Sequence, residues 1–87
     1  MIVHLVNNIQ LLESALSLVG SDVRLIITDP KTDLSKLAAY DWSPLSGALL
    51  EDIVDPQSAQ ACRALDYISA EDWVREVVLA TRVISWG

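Results

Sequence analysis

The sequence predicts an α/β fold: a single small three-layer domain with a mostly parallel sheet of four or five strands and helices on both faces. Three observations support it. Residues 2–6 and 23–28 are short apolar runs rich in β-branched side chains, which is typical of strands buried on both faces of a parallel sheet. A helical pattern separates the two runs and gives a βαβ unit. Strand-like and helix-like segments then alternate to the end of the chain, which favours a layered α/β architecture.

The first helix is predicted from its ends and its periodicity. Asn7 is a suitable N-cap with Gln10 as its capping partner, and Gly20 follows the last turn. Apolar residues recur at helical spacing between these ends: Ile9, Leu12, Ala15, Leu16 and Val19. We expect the crossover from the first strand to the second to be right-handed.

The middle of the chain is predicted from shorter patterns. Pro30 is expected near the first position of a helix, and Ser46-Gly47 is expected in a loop. We predict a short helix at 33–39, a third strand at 48–54, a helix at 55–63 and a fourth strand at 65–68.

The last helix has the clearest start signal, because Ser69 and Asp72 form a Ser-x-x-Asp capping pattern. An apolar stripe follows it, made of Trp73, Val74, Val77 and Val78. Glu71 and Arg75 have the spacing of a favourable i,i+4 ion pair. Residues 83–86 are predicted to form a terminal strand or an extended tail.

Length and composition limit the functions to consider. The chain has 87 residues, of which 52% are hydrophobic, so we expect one domain, residues 1–87, that associates with a neighbour or with a second copy. No apolar run approaches the roughly 18–20 residues of a membrane span. Residues 1–4 lack the Lys and Arg of a secretory signal. We therefore expect a cytoplasmic protein with no membrane contact.

Charge and cysteine content exclude further classes. Six Lys and Arg stand against twelve Asp and Glu, a net charge of −6, and Asp29 and Asp33 flank the nearest cationic pair, Lys31 and Lys36. Nucleic-acid binding needs clustered cations, so no direct contact with nucleic acid is expected. One Cys and one His cannot form a Cys/His zinc site, and glycine-rich phosphate loops are absent from the sequence. We expect no metal and no cofactor.

Four kinds of residue are candidates for chemistry or binding. His4 lies within a predicted strand, where it either hydrogen-bonds in the core or acts as a proton donor or acceptor. Cys62 is the only sulfur nucleophile, but its place near a predicted helix end favours an incidental thiol. The acidic residues Glu51, Asp52 and Asp55 favour a solvated strand end over a cation site. Trp86 is expected to dock on its own domain or on a neighbour because its apolar area is large.

Both ends of the chain carry distinctive short motifs: the opening Met1–Asn7, the strand end Leu65-Asp66-Tyr67, Trp73-Val74 in the following helix and the terminal Ser85-Trp86. In these motifs the chain resembles the TusB/DsrH family. The length near ninety residues and the βαβ start follow the same plan, whereas the middle of the chain departs from the family pattern.

This resemblance implies a DsrEFH-like fold and a role in sulfur transfer. Family members are one of three related subunits in TusBCD or DsrEFH complexes, which relay persulfide sulfur toward 2-thiolation of a tRNA wobble uridine or serve sulfur oxidation. The acceptor cysteine belongs mainly to the TusD/DsrE-like partner, and Cys62 does not match the position of a DsrH cysteine. The resemblance thus implies a non-catalytic, TusB-like subunit with TusC/TusD-like (DsrF/DsrE-like) partners, and His4, Tyr67, Trp73 and Trp86 are its interface candidates. The alternatives are a DsrH-like sulfur carrier using Cys62 and a stand-alone homo-oligomeric interaction module.

Overall fold

Five parallel strands form one sheet in the computed structural model of this chain, which describes residues 1–18, 23–40, 42, 46–53 and 65–87. The strands are β1 (Ile2–Val6), β2 (Val23–Ile27), β3 (Ser46–Leu50), β4 (Asp66–Ile68) and β5 (Arg82–Trp86). The helices are α1 (Leu12–Leu18), α2 (Leu34–Leu37) and α3 (Ala70–Leu79), and short 3₁₀ turns span Ile9–Leu11 and Glu51–Ile53. The predicted α/β fold class is confirmed, and the helix predicted at 55–63 lies outside the described residues.

The strand order is β4-β3-β2-β1-β5. The chain thus moves outward from β1 to β4 on one side and then returns to place β5 on the other side of β1. Because the β4-to-β5 crossover reverses both its direction and the face it uses, it has the same handedness as the crossovers from β1 to β2 and from β2 to β3. The carboxyl end of β1 therefore lies at the point where the topology of the sheet switches.

The sheet buries apolar side chains on both faces, which explains the near-continuous apolar strands. On the α1/α2 face, strand residues such as Val6, Leu25 and Ile27 pack with helix residues such as Leu12 and Leu37. The α3 face has a smaller core, formed by Val3, Leu5, Ile26, Ala48 and Ile68 with Trp73, Val77 and Ala80 packed against it. The domain is thus a three-layer sandwich with α3 alone on one side among the described elements.

Two predictions about the loops after β1 and β2 are wrong: the N-cap residue before α1 and the position of Pro30. The N-cap is Asn8, whose Oδ1 accepts a hydrogen bond from the backbone N–H of Gln10 at 3.0 Å. Asn7 instead uses its side chain to accept a hydrogen bond from the Thr28 hydroxyl at 2.5 Å, which joins the ends of β1 and β2. Pro30 lies in a turn before α2 rather than at its start, and Asp33 caps that helix.

Gly47 lies within β3 and not in the predicted loop, so the third strand begins and ends earlier than its pattern suggested. A Cβ atom at this position would lie 2.5 Å from the Leu65 side chain and 3.0 Å from the Trp42 ring. Trp42 is buried, and its indole N–H donates to the backbone carbonyl of Leu37 at 2.8 Å. Glycine is therefore present because two large side chains occupy the space above the strand.

The start of α3 confirms the predicted cap, since Ser69 Oγ accepts from the Asp72 N–H at 3.1 Å. The predicted i,i+4 pair is wrong: Arg75 pairs with Asp72 at 3.1 Å instead of with Glu71. No helix in the described part of the chain is long and apolar enough to cross a membrane.

Candidate functional site

Polar side chains collect at the edge of the sheet where the parallel strands end. β1 is followed by Asn7 and Asn8, and β2 is followed by Thr28 and Asp29. In open α/β sheets, ligand crevices lie beyond the carboxyl ends of the strands and at a topological switch point. The first condition holds for the loops after β1 and β2, whereas the topology switches on the other side of β1, between β1 and β5. The carboxyl edge of the sheet is therefore the first place to look for a binding site.

At this edge, the Asp29 side chain links the loop that follows β1 to the loop that follows β2. One carboxylate oxygen accepts from the backbone N–H of Ile9 at 2.8 Å, and the other accepts from the N–H of Lys31 at 2.9 Å. These hydrogen bonds to Ile9 and Lys31 lower the pKa of Asp29, because they favour the ionised form. Asp29 is 7% exposed, and both of its carboxylate oxygens accept hydrogen bonds from backbone N–H groups of these two loops.

An open cleft lies between these connections and is called the carboxyl-edge cleft below. Its volume is about 540 Å³, and its lining residues are Asn7, Asn8, Ile9, Gln10, Asp29, Lys31 and Lys36. A second cavity of about 210 Å³ shares four of these residues and extends beneath α2, where it is also lined by Leu12, Asp33, Leu37 and Tyr40. One side of the combined space is thus polar and the other is largely apolar.

The Asp33 carboxylate, the second one near the cleft, also accepts hydrogen bonds from its own loop. Asp33 Oδ1 accepts from the Ser35 hydroxyl at 2.7 Å and from the Ser35 backbone N–H at 3.0 Å. These contacts with Ser35 lower the pKa of Asp33 and keep it ionised. Lys31 and Lys36, by contrast, form no salt bridge with any described residue.

The two ends of the chain meet where β1 pairs with β5. The indole N–H of Trp86 donates to His4 Nδ1 at 3.0 Å, and the two rings are stacked with centroids 6.2 Å apart. The Trp86 carbonyl accepts from the N–H groups of Asn7 and Asn8 at 3.0 and 3.2 Å. Trp86 therefore docks on its own domain, which was one of its two expected positions.

His4 is 6% exposed, and burial lowers its pKa. An unprotonated Nδ1 is also what the hydrogen bond from Trp86 requires, because a protonated nitrogen has no lone pair to accept it. His4 thus has the core role considered in the sequence analysis, as a neutral acceptor within the domain.

The other predicted residues are separated in the fold. Tyr67 is partly buried against the α1/α2 core, whereas Trp73 packs on the α3 face. The Trp73 indole N–H is buried and has no hydrogen-bond partner among the described residues. Of the interface candidates, only His4 and Trp86 are brought together. Cys62 lies outside the described residues.

The acidic cluster is likewise only partly described. Glu51 and Asp52 are exposed in the 3₁₀ turn after β3, which agrees with a solvated strand end, and Asp55 lies outside the described residues. In the described ranges, no group of three or more His, Cys, Asp or Glu is arranged to hold a metal ion.

Arg24 is a structural residue that sequence reasoning missed. It lies on the α3 face of β2, is 7% exposed, and binds Glu76 Oε1 at 2.8 Å and Asp66 Oδ2 at 2.9 Å. Its guanidinium also donates to the Ser46 hydroxyl at 2.8 Å. The one available signal was a lone cation in an otherwise apolar strand, since an Arg buried there must be paired.

The outer side of α3 and the edge strand β5 form a further surface, called the α3/β5 surface. The described residues expose six large apolar side chains, and four of them belong to this surface: Val74, Val78, Leu79 and Val83. Trp73 and Val77 of the predicted stripe pack on the sheet, whereas Val74 and Val78 are 56% and 74% exposed. The outer edge of β5 has no neighbouring strand in the described sheet.

Fold and site together define a small parallel α/β domain with a polar cleft at the carboxyl edge and an apolar surface at the opposite layer. Comparisons with protein-family models, with curated proteins and with solved structures give no significant match.

Proposed function

We propose that this chain is an accessory, non-catalytic subunit of a cytoplasmic sulfur-relay complex that serves 2-thiolation of a tRNA wobble uridine. The resemblance of its two ends to the TusB/DsrH family motivates the choice of complex. Its partners are TusC/TusD-like (DsrF/DsrE-like) chains, and in that family the acceptor cysteine belongs mainly to the TusD/DsrE-like partner.

The observation that carries the proposal is the α3/β5 surface. Val78 and Leu79 are 74% and 76% exposed at the end of α3, and Val83 is 38% exposed on the following strand. Large exposed apolar side chains concentrated on two consecutive elements favour a protein interaction site, and burial of such area contributes roughly 25 cal/mol per Å².

The edge strand adds a second reason for association. β5 offers a row of backbone donors and acceptors that monomeric proteins usually protect with charges, proline or a covering element. Its residues Arg82–Trp86 contain one charge, at the first position. A partner that covers α3 and β5 would satisfy both the apolar side chains and the strand edge.

Co-expression with TusC/TusD-like chains from the same genome tests the proposal. We expect the three chains to elute together in size-exclusion chromatography, and we expect deletion of the gene to lower 2-thiouridine in tRNA nucleosides measured by mass spectrometry. A chain that elutes as a monomer and captures neither partner would refute the subunit role.

A matched pair of variants locates the contact. Val78→Glu adds a charge to the α3/β5 surface, whereas Leu18→Glu adds the same charge to α1 at a side chain of similar exposure, 74% against 70%. We expect Val78→Glu to weaken complex formation about tenfold or more, since an unpaired charge is then desolvated, and Leu18→Glu to leave it unchanged. Equal effects of the two variants would contradict this location.

Cys62 separates the accessory role from the sulfur-carrier alternative. After incubation with a persulfide donor, we expect no sulfur adduct on Cys62 by mass spectrometry, and we expect Cys62→Ser to retain tRNA thiolation. A persulfide on this thiol together with loss of thiolation in the variant would instead assign the chain a carrier role.

A further inference from the structure

We propose that the carboxyl-edge cleft and the smaller cavity beside it bind a small organic anion, with Lys31 and Lys36 at its anionic group and Ile9 and Tyr40 beside its apolar part. The anionic group is a phosphate or a carboxylate. This inference is independent of the proposed function, because no residue of the α3/β5 surface lines either cavity.

The charges around the cleft favour an anion. The sequence has six cations against twelve acidic residues, yet two of those cations line both cavities. The acidic neighbours Asp29 and Asp33 are already held by backbone N–H groups of their own loops. Asp29 and Asp33 also line the cavities and attract Lys31 and Lys36 through space. Neither ammonium group forms a salt bridge with a described residue, so both can turn toward a ligand.

Three amide side chains supply the remaining polar contacts. Asn7, Asn8 and Gln10 line the larger cavity together with the lysines. Amide groups both donate and accept hydrogen bonds, so they suit hydroxyl or heterocyclic nitrogen atoms next to the anionic group. The site thus resembles general ligand pockets, in which a few convergent polar groups fix the orientation of a bound molecule.

The shape of the cleft favours an organic molecule over an inorganic ion. The larger cavity has a volume of about 540 Å³, which lies within the usual range for ligand pockets of roughly 300–1,000 Å³. The smaller cavity adjoins it through Ile9 and Gln10 and presents Leu37 and the Tyr40 ring. A ligand that fills both cavities has a charged end near the lysines and an apolar ring or chain near Tyr40.

Titration of the ¹⁵N-labelled full-length chain tests the proposal by NMR. The probes are AMP and indole-3-acetate as organic anions, adenosine as a ring without charge, and inorganic phosphate as a charge without a ring. We expect amide shifts at residues 7–10 and 31–37 with AMP, with indole-3-acetate or with both, and an apparent Kd that rises with salt. Shifts with AMP alone identify a phosphate ligand, and shifts with indole-3-acetate alone identify a carboxylate.

Three variants test which side chains of the cleft bind the anion. Lys31→Gln/Lys36→Gln should weaken binding of the active anion roughly tenfold, as expected for loss of charged hydrogen bonds. The matched double variant Arg75→Gln/Arg82→Gln removes the same charge from exposed positions on α3 and β5 and should leave the Kd unchanged. Tyr40→Leu should weaken AMP or indole-3-acetate while leaving the response to inorganic phosphate unchanged.

Three results would overturn the inference. The first is that neither organic anion shifts these amides at millimolar concentration, and the second is that adenosine binds as tightly as AMP. Equal weakening by the lysine and arginine double variants would show that net charge, and not the cleft, sets the affinity. Each result leaves complex formation through the α3/β5 surface unaffected, so failure here is distinguishable from failure of the proposed function.

Discussion

Replacement of Arg24 by methionine should be among the most destabilising single changes outside the apolar core. The guanidinium is bound to two carboxylates and a hydroxyl, on three separate elements: Glu76 on α3, Asp66 on β4 and Ser46 on β3. Burial opposes its charge, but hydrogen bonds and charges from Asp66 and Glu76 outweigh burial and raise the pKa of Arg24. Methionine keeps the apolar stem and removes the charge.

The size of the effect follows from the exposure of the partners. Arg24 and Glu76 side chains are 9% and 29% exposed, so Arg24→Met leaves a partly buried carboxylate without its cation. Breaking a buried pair costs about 3–5 kcal/mol, and we expect about 3 kcal/mol because Glu76 retains some solvent contact. Asp66 is 71% exposed, and exposed pairs contribute about 0–1 kcal/mol.

The assay is urea denaturation of the wild type and three variants, with the free energy of unfolding taken at constant m-value. The expected order of destabilisation is Arg24→Met, then Glu76→Gln, then Asp66→Asn. The double variant Arg24→Met/Glu76→Met should be more stable than Arg24→Met alone, because no unpaired carboxylate remains. A loss below about 0.5 kcal/mol for Arg24→Met, or a larger loss for Asp66→Asn than for Glu76→Gln, would refute this reasoning.

Three further predictions follow from the described contacts. Because burial lowers the pKa of His4 below its ordinary value of 6.5, the unfolded chain takes up the proton first; stability should be complete above pH 6.5 and decline as pH falls through the folded-state pKa, as measured by urea midpoints. Gly47→Ala should destabilise by about 1–3 kcal/mol in the same assay, since its Cβ would lie 2.5 Å from the Leu65 side chain. Asp29→Asn should cost about 1 kcal/mol and speed amide hydrogen exchange at Ile9 and Lys31, because one acceptor oxygen becomes an amide donor.

Each of these predictions has its own control. His4→Gln should abolish the pH dependence between pH 7.5 and 5, and a midpoint that stays constant in the wild type would exclude the neutral-histidine assignment. Ser85→Ala, at an exposed position in β5, should cost less than Gly47→Ala. Unchanged exchange at both Ile9 and Lys31 in Asp29→Asn would show that the carboxylate does not hold these loops, since the amide keeps only one acceptor oxygen.

Local patterns were sufficient to predict the elements whose signals lie within a few residues. β1 and β2 were predictable because strands covered on both faces must be apolar at almost every position. The start of α3 was predictable because the Ser69 cap satisfies a donor only three residues away. At the start of α1, two adjacent asparagines offered the same capping chemistry, and only the pairing of Asn7 with Thr28 on the neighbouring strand decides between them.

Contacts between distant residues were not predictable, because they depend on strand order. Arg24 meets Asp66 and Glu76, which lie 42 and 52 residues away, and the sequence carries no local sign of that meeting. From the sequence, Lys31 and Lys36 were not expected to bind nucleic acid, because Asp29 and Asp33 flank them. In the structure those carboxylates accept hydrogen bonds from backbone N–H groups, and neither lysine forms a salt bridge with a described residue. The sequence does not show that Lys31 and Lys36 line a common cleft.

The strand order places the α3/β5 surface and the carboxyl-edge cleft on different parts of the domain. Because β5 returns beside β1, α3 covers the face opposite to α1 and α2, and β5 becomes an exposed edge. The cleft lies on the other side of β1, between the loops that follow β1 and β2, and none of the residues that line it belongs to α3 or β5. Subunit contact and ligand binding should therefore be separable: Val78→Glu should weaken assembly without changing the Kd of an anion, and Lys31→Gln/Lys36→Gln should do the reverse. If either variant impaired both properties while its unfolding midpoint stayed unchanged, the two surfaces would have to be one site, and the assignment of α3 and β5 to a separate contact would be wrong.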